Sequence, residues 1–142
     1  MKNHKLHKIW NQVPITYYQK GVKSNLFQWL WHSKKIKLAK YILSQLKFKN
    51  CLDVGCASGY MISQLASIYP HAQYCGIDIY DKAIEYAKKN YPHIDFAVAS
   101  ANNLPFKNNA FELILFYETI EHVENPKECL KEIKRVLKKM EF

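Results

Sequence analysis

From residue 51 onward, short apolar runs alternate with stretches whose apolar residues recur every three or four positions. Cys51–Val54 reads as a strand and Tyr60–Ile68 as a helix that Pro70 stops. Gln73–Ile77 reads as a second strand. A helix from Asp81, taken as its cap, to about Asn90 carries Ala83, Ile84 and Ala87 on one face, and Pro92 stops it. Ile94–Ala99 is a third strand and Ser100–Ala110 a loop. Phe111–Tyr117 is an apolar fourth strand suited to burial on both faces. Asn125-Pro126-Lys127-Glu128 combines a cap, a first-turn proline and a capping-box glutamate. The helix it starts carries Leu130, Ile133, Val136 and Leu137. Strands alternating with helices predict an α/β fold with a parallel sheet, in which ligands sit beyond the carboxyl ends of the strands.

Before residue 51 the pattern is helical from about Asn25 to Lys47, with Leu26, Trp29, Leu30, Ile36, Ala39, Ile42, Leu43 and Leu46 near the required spacing. Asn25 suits a cap. His32-Ser33-Lys34-Lys35 predicts a break between two helices. The aromatic residues Tyr17, Tyr18, Phe27, Trp29 and Trp31 are most simply core packing, with a lid over a ligand mouth as their functional reading. The organisation expected is a basic helical segment over residues 1–48 followed by an α/β domain over 49–142.

The chain has 142 residues, 49% of them apolar, enough for one domain with a buried core. No run approaches the ~20 apolar residues of a membrane helix. The N-terminus lacks a signal peptide's apolar core, so a soluble, cytoplasmic protein is expected. The four cysteines, Cys51, Cys56, Cys75 and Cys129, form no C-x-x-C pair, which favours reduced, mostly buried thiols over disulfides or a metal site. Charge is unevenly placed. Residues 1–50 hold eleven lysines and no acid, whereas the rest of the chain carries a net −2. That asymmetry raises nucleic acid or an anionic membrane as a partner; a solvated helix face is the simpler reading and is favoured.

The candidate chemistry begins at Leu52-Asp53-Val54-Gly55-Cys56-Ala57-Ser58-Gly59. A strand enters a glycine turn and a helix leaves it. Glycines permit backbone angles that a Cβ forbids and let the main chain approach a ligand. The following helix aims its free N–H groups and positive dipole end at the turn. The dinucleotide fingerprint G-x-G-x-x-G is absent; the order here is G-x-A-x-G with an acid two residues upstream. Cys56 lies in the turn, where its backbone matters more than its sulfur.

This turn resembles motif I of the class I S-adenosylmethionine-dependent methyltransferases, in their type 11 branch. Three further blocks resemble the same family in order and approximate spacing over about residues 50–139. Gly76-Ile77-Asp78-Ile79 ends the second strand, and the resemblance assigns Asp78 to the ribose hydroxyls and Ile79, with Tyr80, to the adenine face. Ser100-Ala101-Asn102-Asn103-Leu104-Pro105-Phe106 matches a block whose acid meets the adenine amino group. Ser100 stands where the family has that acid, so it offers a hydroxyl without charge. Tyr117-Glu118-Thr119-Ile120-Glu121-His122-Val123 is similar to the segment beside the methionine end of the cofactor. The cofactor-binding set implied is thus Asp53, Gly55, Cys56, Ala57, Gly59, Asp78, Ile79, Ser100, Ala101, Tyr117 and Glu118. His122 is the candidate base if one is needed.

The resemblance implies a Rossmann-like sheet of about four strands in the order 3-2-1-4, flanked by helices, without the family's strands five to seven. Strand four would then be a long apolar edge, open to a homodimer or to a complementing chain. The function expected is methyl transfer from S-adenosylmethionine to a small-molecule, lipid or glycan-type acceptor. Two alternatives stand beside it: a cofactor-binding fragment or subunit without its own turnover, and a basic nucleic-acid- or membrane-binding module on an α/β scaffold.

Overall fold

The computed structural model describes residues 12–17, 20 and 26–139, apart from the side chain of Gln28. Asn25 and Tyr18 lie outside the described residues. The elements are α1 (Leu26–Ser44), β1 (Asn50–Val54), α2 (Tyr60–Ile68), β2 (Gln73–Asp78), α3 (Asp81–Asn90), β3 (Asp95–Val98), β4 (Leu113–Leu115) and α4 (Pro126–Val136), with a 3₁₀ turn at Ile120–His122.

The four strands form one parallel sheet in the order β3-β2-β1-β4, as the alternating pattern and the family resemblance imply. In register, Asp53 stands beside Gly76 on one side and Leu115 on the other. Successive residues of a strand face opposite ways, and each face of the sheet buries its own core. Cys51 joins Ile62, Leu65, Ile84 and Phe96 on one side. Leu52 and Val54 join Ile77, Leu104, Phe111, Cys129 and Val136 on the other. Burial on both faces explains why β1 is apolar almost throughout.

Several expectations need correction. The segment Leu26–Ser44 is one unbroken helix. His32, Ala39 and Leu43 share a stripe buried toward the sheet domain, so the polar quartet His32-Ser33-Lys34-Lys35 straddles two faces of one helix and interrupts neither. The same geometry turns the aromatic residues outward. Trp29 and Trp31 are about half exposed, and Phe27 more so, which overturns their reading as core. Asp81 is the first residue of α3, while Tyr80 occupies the cap position. β3 and β4 are shorter than expected. At β4, Phe111 pairs with Leu137 instead of extending the strand: its N–H donates to the Val136 carbonyl at 3.0 Å, and its carbonyl accepts the Lys138 N–H at 2.7 Å. The free edge of β4 is therefore three residues long rather than seven. The start of α4 is as expected, with the Asn125 side chain accepting the Glu128 N–H at 3.2 Å.

Candidate cofactor-binding site

At the carboxyl end of β1 the chain turns through three left-handed residues, Gly55 (φ 82°), Ala57 (φ 48°) and Gly59 (φ 77°). The Gly55 and Cys56 amides both donate to the Ile77 carbonyl, at 2.8 and 2.9 Å, which ties the turn to the tip of β2. The two glycines are required by close packing as well as by conformation. A Cβ on Gly55 would lie 2.3 Å from the Thr119 Oγ1, and one on Gly59 would lie 2.7 Å from the Phe96 ring. Ala57 has no such relief and carries the cost of a left-handed backbone, roughly 1–2 kcal/mol.

Asp78 organises the other wall. Its Oδ2 accepts the Ala57 N–H at 2.8 Å and its Oδ1 the Tyr80 N–H at 2.9 Å. Burial pushes its carboxyl above the usual range, and these amide bonds oppose the shift. Asp53 is more deeply placed, at 3% exposure. Burial, and then the charge of Asp78, push its carboxyl up to about 7. No hydrogen-bond donor among the described residues contributes to that shift.

Around this frame lies a cavity of about 340 Å³. Gly55, Ala57, Asp78 and Ile79 line it from the turn and β2; Ser100 and Ala101 line it from the end of β3. Tyr117, Glu118 and His122 close it from the segment after β4. Nine of the twelve residues singled out from the sequence thus meet at one cavity. Asp53 and Cys56 lie behind it, in a smaller adjoining cavity of about 50 Å³. Gly59 lines neither, and serves the packing of α2 against α3 and β3.

Cys56 is buried, and burial pushes its thiol well above the ordinary value, which disfavours the thiolate a nucleophile needs. The Ser100 hydroxyl accepts the Asn102 N–H at 3.2 Å, so it also shapes its own turn. His122 ends the 3₁₀ turn, where its N–H donates to the Thr119 carbonyl at 2.9 Å.

Sequence reasoning missed three contributors. Thr119 fills the space that Gly55 leaves and donates from Oγ1 to the Tyr117 carbonyl at 2.8 Å. Lys35, from α1, forms an ion pair with Glu118 and sits 5.1 Å from the Trp31 ring centroid. The third is a clamp from α4. The Glu132 carboxylate accepts the Leu104 N–H at 2.7 Å and pairs with Arg135. Arg135 donates to the carbonyls of Leu104 and Phe106, at 2.9 and 2.6 Å. That clamp fixes the loop whose start, Ser100-Ala101, faces the cavity. An acid–base pair three apart on a helix is a visible signal for the pair; nothing local announces its backbone targets or the Lys35–Glu118 contact.

A family model described as a methyltransferase domain matches residues 52–140. The chain is 36% identical over 89 residues to a ubiquinone/menaquinone biosynthesis C-methyltransferase from Desulfotalea psychrophila, covering 61% of this chain and 36% of that protein. It is 34% identical over 128 residues to an uncharacterized protein of Methanocaldococcus jannaschii, covering 86% and 46%. Among solved structures, a protein from Pyrococcus horikoshii aligns with a TM-score of 0.68 at 27% identity, covering 91% of this chain and 60% of that one. The chain spans a third to just under a half of the length of the curated relatives it matches. The matched region holds the glycine turn, Asp78, the clamped loop and the segment after β4, and it shows that this chain belongs to the methyltransferase domain family, whose cofactor is S-adenosylmethionine.

Proposed function

We propose that this chain binds S-adenosylmethionine in the 340 Å³ cavity and serves methyl transfer to a small-molecule or lipid-type acceptor. The observation that carries the reading is the Asp78 carboxylate at the tip of β2. It is held by two backbone amides on the cavity wall, beside a glycine turn that opens a helix. A carboxylate has about four acceptor sites, so two amide bonds leave capacity for ribose hydroxyls. When bound, the cofactor supplies a methyl group on a sulfonium, which an acceptor lone pair attacks in line as the carbon–sulfur electrons pass to sulfur. The protein's part is positioning and the exclusion of water, which need little acid–base machinery. Glu118, and Asp53 when ionised, would supply negative charge toward the cofactor's cationic end. His122 stands on the cavity wall as the group able to take a proton from an acceptor that must lose one.

Several relatives are named for lipid-like substrates, among them a demethylmenaquinone methyltransferase and a phthiotriol/phenolphthiotriol dimycocerosates methyltransferase. They support an apolar acceptor class and no single compound. Among the described residues β4 is an edge strand, which supports a second reading, in which this chain holds the cofactor and a strand from another copy or another polypeptide completes the sheet before turnover.

Calorimetric titration of S-adenosylhomocysteine tests the cofactor site. Binding that Asp78→Ala weakens at least tenfold supports it. A folded protein that binds neither S-adenosylhomocysteine nor S-adenosylmethionine would overturn it.

A further inference from the structure

Helix α1 has two apolar sides. One is the stripe of His32, Ala39 and Leu43, buried toward the sheet domain. On the opposite side Leu30, Lys34, Lys37 and Tyr41 follow one another three or four residues apart, which sets them in one line down the helix. Trp31, Leu38 and Ile42 run beside that line. Tyr41 is 70% exposed, Leu38 60%, Trp31 53% and Ile42 49%. The solvated helix face expected from the charge pattern therefore describes only half of this surface, because large apolar side chains stand among the lysines. Among the described residues Lys34, Lys37 and Lys40 form no ion pair. No acid occurs in residues 1–50 to balance them. A face that is apolar and uniformly cationic is complementary to a surface that is apolar within and anionic outside.

We propose that the outer face of α1 docks on an anionic lipid surface, with the helix lying in the plane of the headgroups. Leu38 and Ile42 enter the boundary of the acyl chains, Trp31 and Tyr41 lie at headgroup level, and the lysine stems reach past them to the phosphates. Lipid is favoured over nucleic acid because Leu30, Leu38 and Ile42 are aliphatic and offer a base no stacking surface. It is favoured over a protein groove because lysines interleave with the apolar residues, and lysine is depleted from the cores of protein interfaces. A second copy of this chain on the same face would set lysine against lysine with no acid between them. Docking stands apart from the cofactor reading, since α1 lends His32 and Lys35, from its inner side, to the smaller cavity. A docked chain holds that cavity one helix diameter, about 10 Å, from the bilayer, which suits the apolar acceptor class proposed above.

The test is co-sedimentation of the full chain with vesicles of phosphatidylcholine alone and of phosphatidylcholine and phosphatidylglycerol in equal parts. The chain should bind the mixed vesicles at least tenfold more tightly than the neutral ones, and added salt should narrow that difference. Lys34→Gln, Lys37→Gln and Lys40→Gln together should lower affinity for the mixed vesicles about 100-fold. Leu38→Ser with Ile42→Ser removes no charge and should still lower it at least tenfold. Both variants should bind S-adenosylhomocysteine as the wild type does, so a failure of docking and a failure of the cofactor site are read separately. A wild-type chain that leaves the mixed vesicles unbound overturns the proposal, and that measurement needs no variant to fold. Vesicle binding that the serine variant leaves unchanged also overturns it, because the face would then be a general polyanion surface, which competition by polyuridylate RNA identifies. A dimer in sedimentation equilibrium that the serine variant dissociates, with no vesicle binding, places a second copy on this face and overturns it as well.

Discussion

The Asp78 carboxylate accepts the Ala57 amide at 2.8 Å, and this contact holds the glycine turn against the end of β2. One side chain therefore ties the turn to β2 and lines the cavity. Asp78→Asn keeps the size of the side chain but replaces one acceptor oxygen with a donor, so one of the two amides at Ala57 and Tyr80 loses its partner. Stability should fall by about 1–3 kcal/mol, read from urea unfolding, and S-adenosylhomocysteine binding should weaken at least tenfold. Unchanged ligand affinity in the Asp78→Asn variant would remove Asp78 from the site and leave it a structural role.

The second prediction concerns pH. Asp53 has its carboxyl raised by burial to about 7, whereas the unfolded chain ionises it near 3.8. Between those values the folded state holds a proton that the unfolded state has lost, so stability declines as pH rises from about 4 to about 7 and is then level. The contribution is on the order of a few kcal/mol. Asp53→Asn should flatten this decline, gaining stability at pH 8 and little at pH 4. Ligand affinity should move the opposite way in the wild type. A cationic ligand end prefers ionised Asp53, so S-adenosylhomocysteine should bind more tightly as pH passes upward through about 7. Thermal melts and calorimetry at pH 5, 6, 7 and 8 check both halves.

Ala57 stands at φ 48° in a turn whose other left-handed positions are glycines. Ala57→Gly should relieve that strain. The flexible unfolded chain takes back part of the gain, leaving a net stabilisation of roughly 0.5–1 kcal/mol. A denaturation midpoint that falls instead would mean that the Ala57 methyl makes packing contacts worth more than the strain.

Much of this site was legible because it is built from local sequence. A strand, a glycine turn and a helix are consecutive, so Gly55, Ala57 and Gly59 announce their geometry. Asp78 announces its place because it ends the next strand in a parallel sheet. The limits of β4 were not legible, since apolar residues 111–117 fit a strand equally well throughout. What shortens it is tertiary: Leu137 pairs with Phe111, and Glu118 takes a left-handed backbone just beyond. The reading of α1 failed for a related reason. A break was expected at His32–Lys35, yet Trp29 and Trp31 share one helix with Ala39 and Leu43, and burial chose the stripe containing His32, Ala39 and Leu43. The Lys35–Glu118 pair joins residues 83 apart and leaves no mark on either segment.

The clamp from α4 gives a prediction that separates loop order from global stability. Arg135 donates to the carbonyls of Leu104 and Phe106 and to the Asn108 side chain, while Glu132 receives the Leu104 amide. These contacts act as a unit, because Glu132 also orients Arg135 through two hydrogen bonds of 2.7 Å. Glu132→Ala, Arg135→Ala and the double variant should therefore lower the melting temperature by similar amounts rather than additively. The Leu104 amide should exchange with solvent much faster in all three, while amides in β1 and β2 change only as far as global stability does. Ser100 and Ala101 open this loop and line the cavity, so S-adenosylhomocysteine should lose affinity in the same variants. Additive melting shifts, or a Leu104 amide that stays protected, would show that the buried Leu104 side chain and the Phe106–Phe111 edge contact at 4.9 Å hold the loop without the clamp.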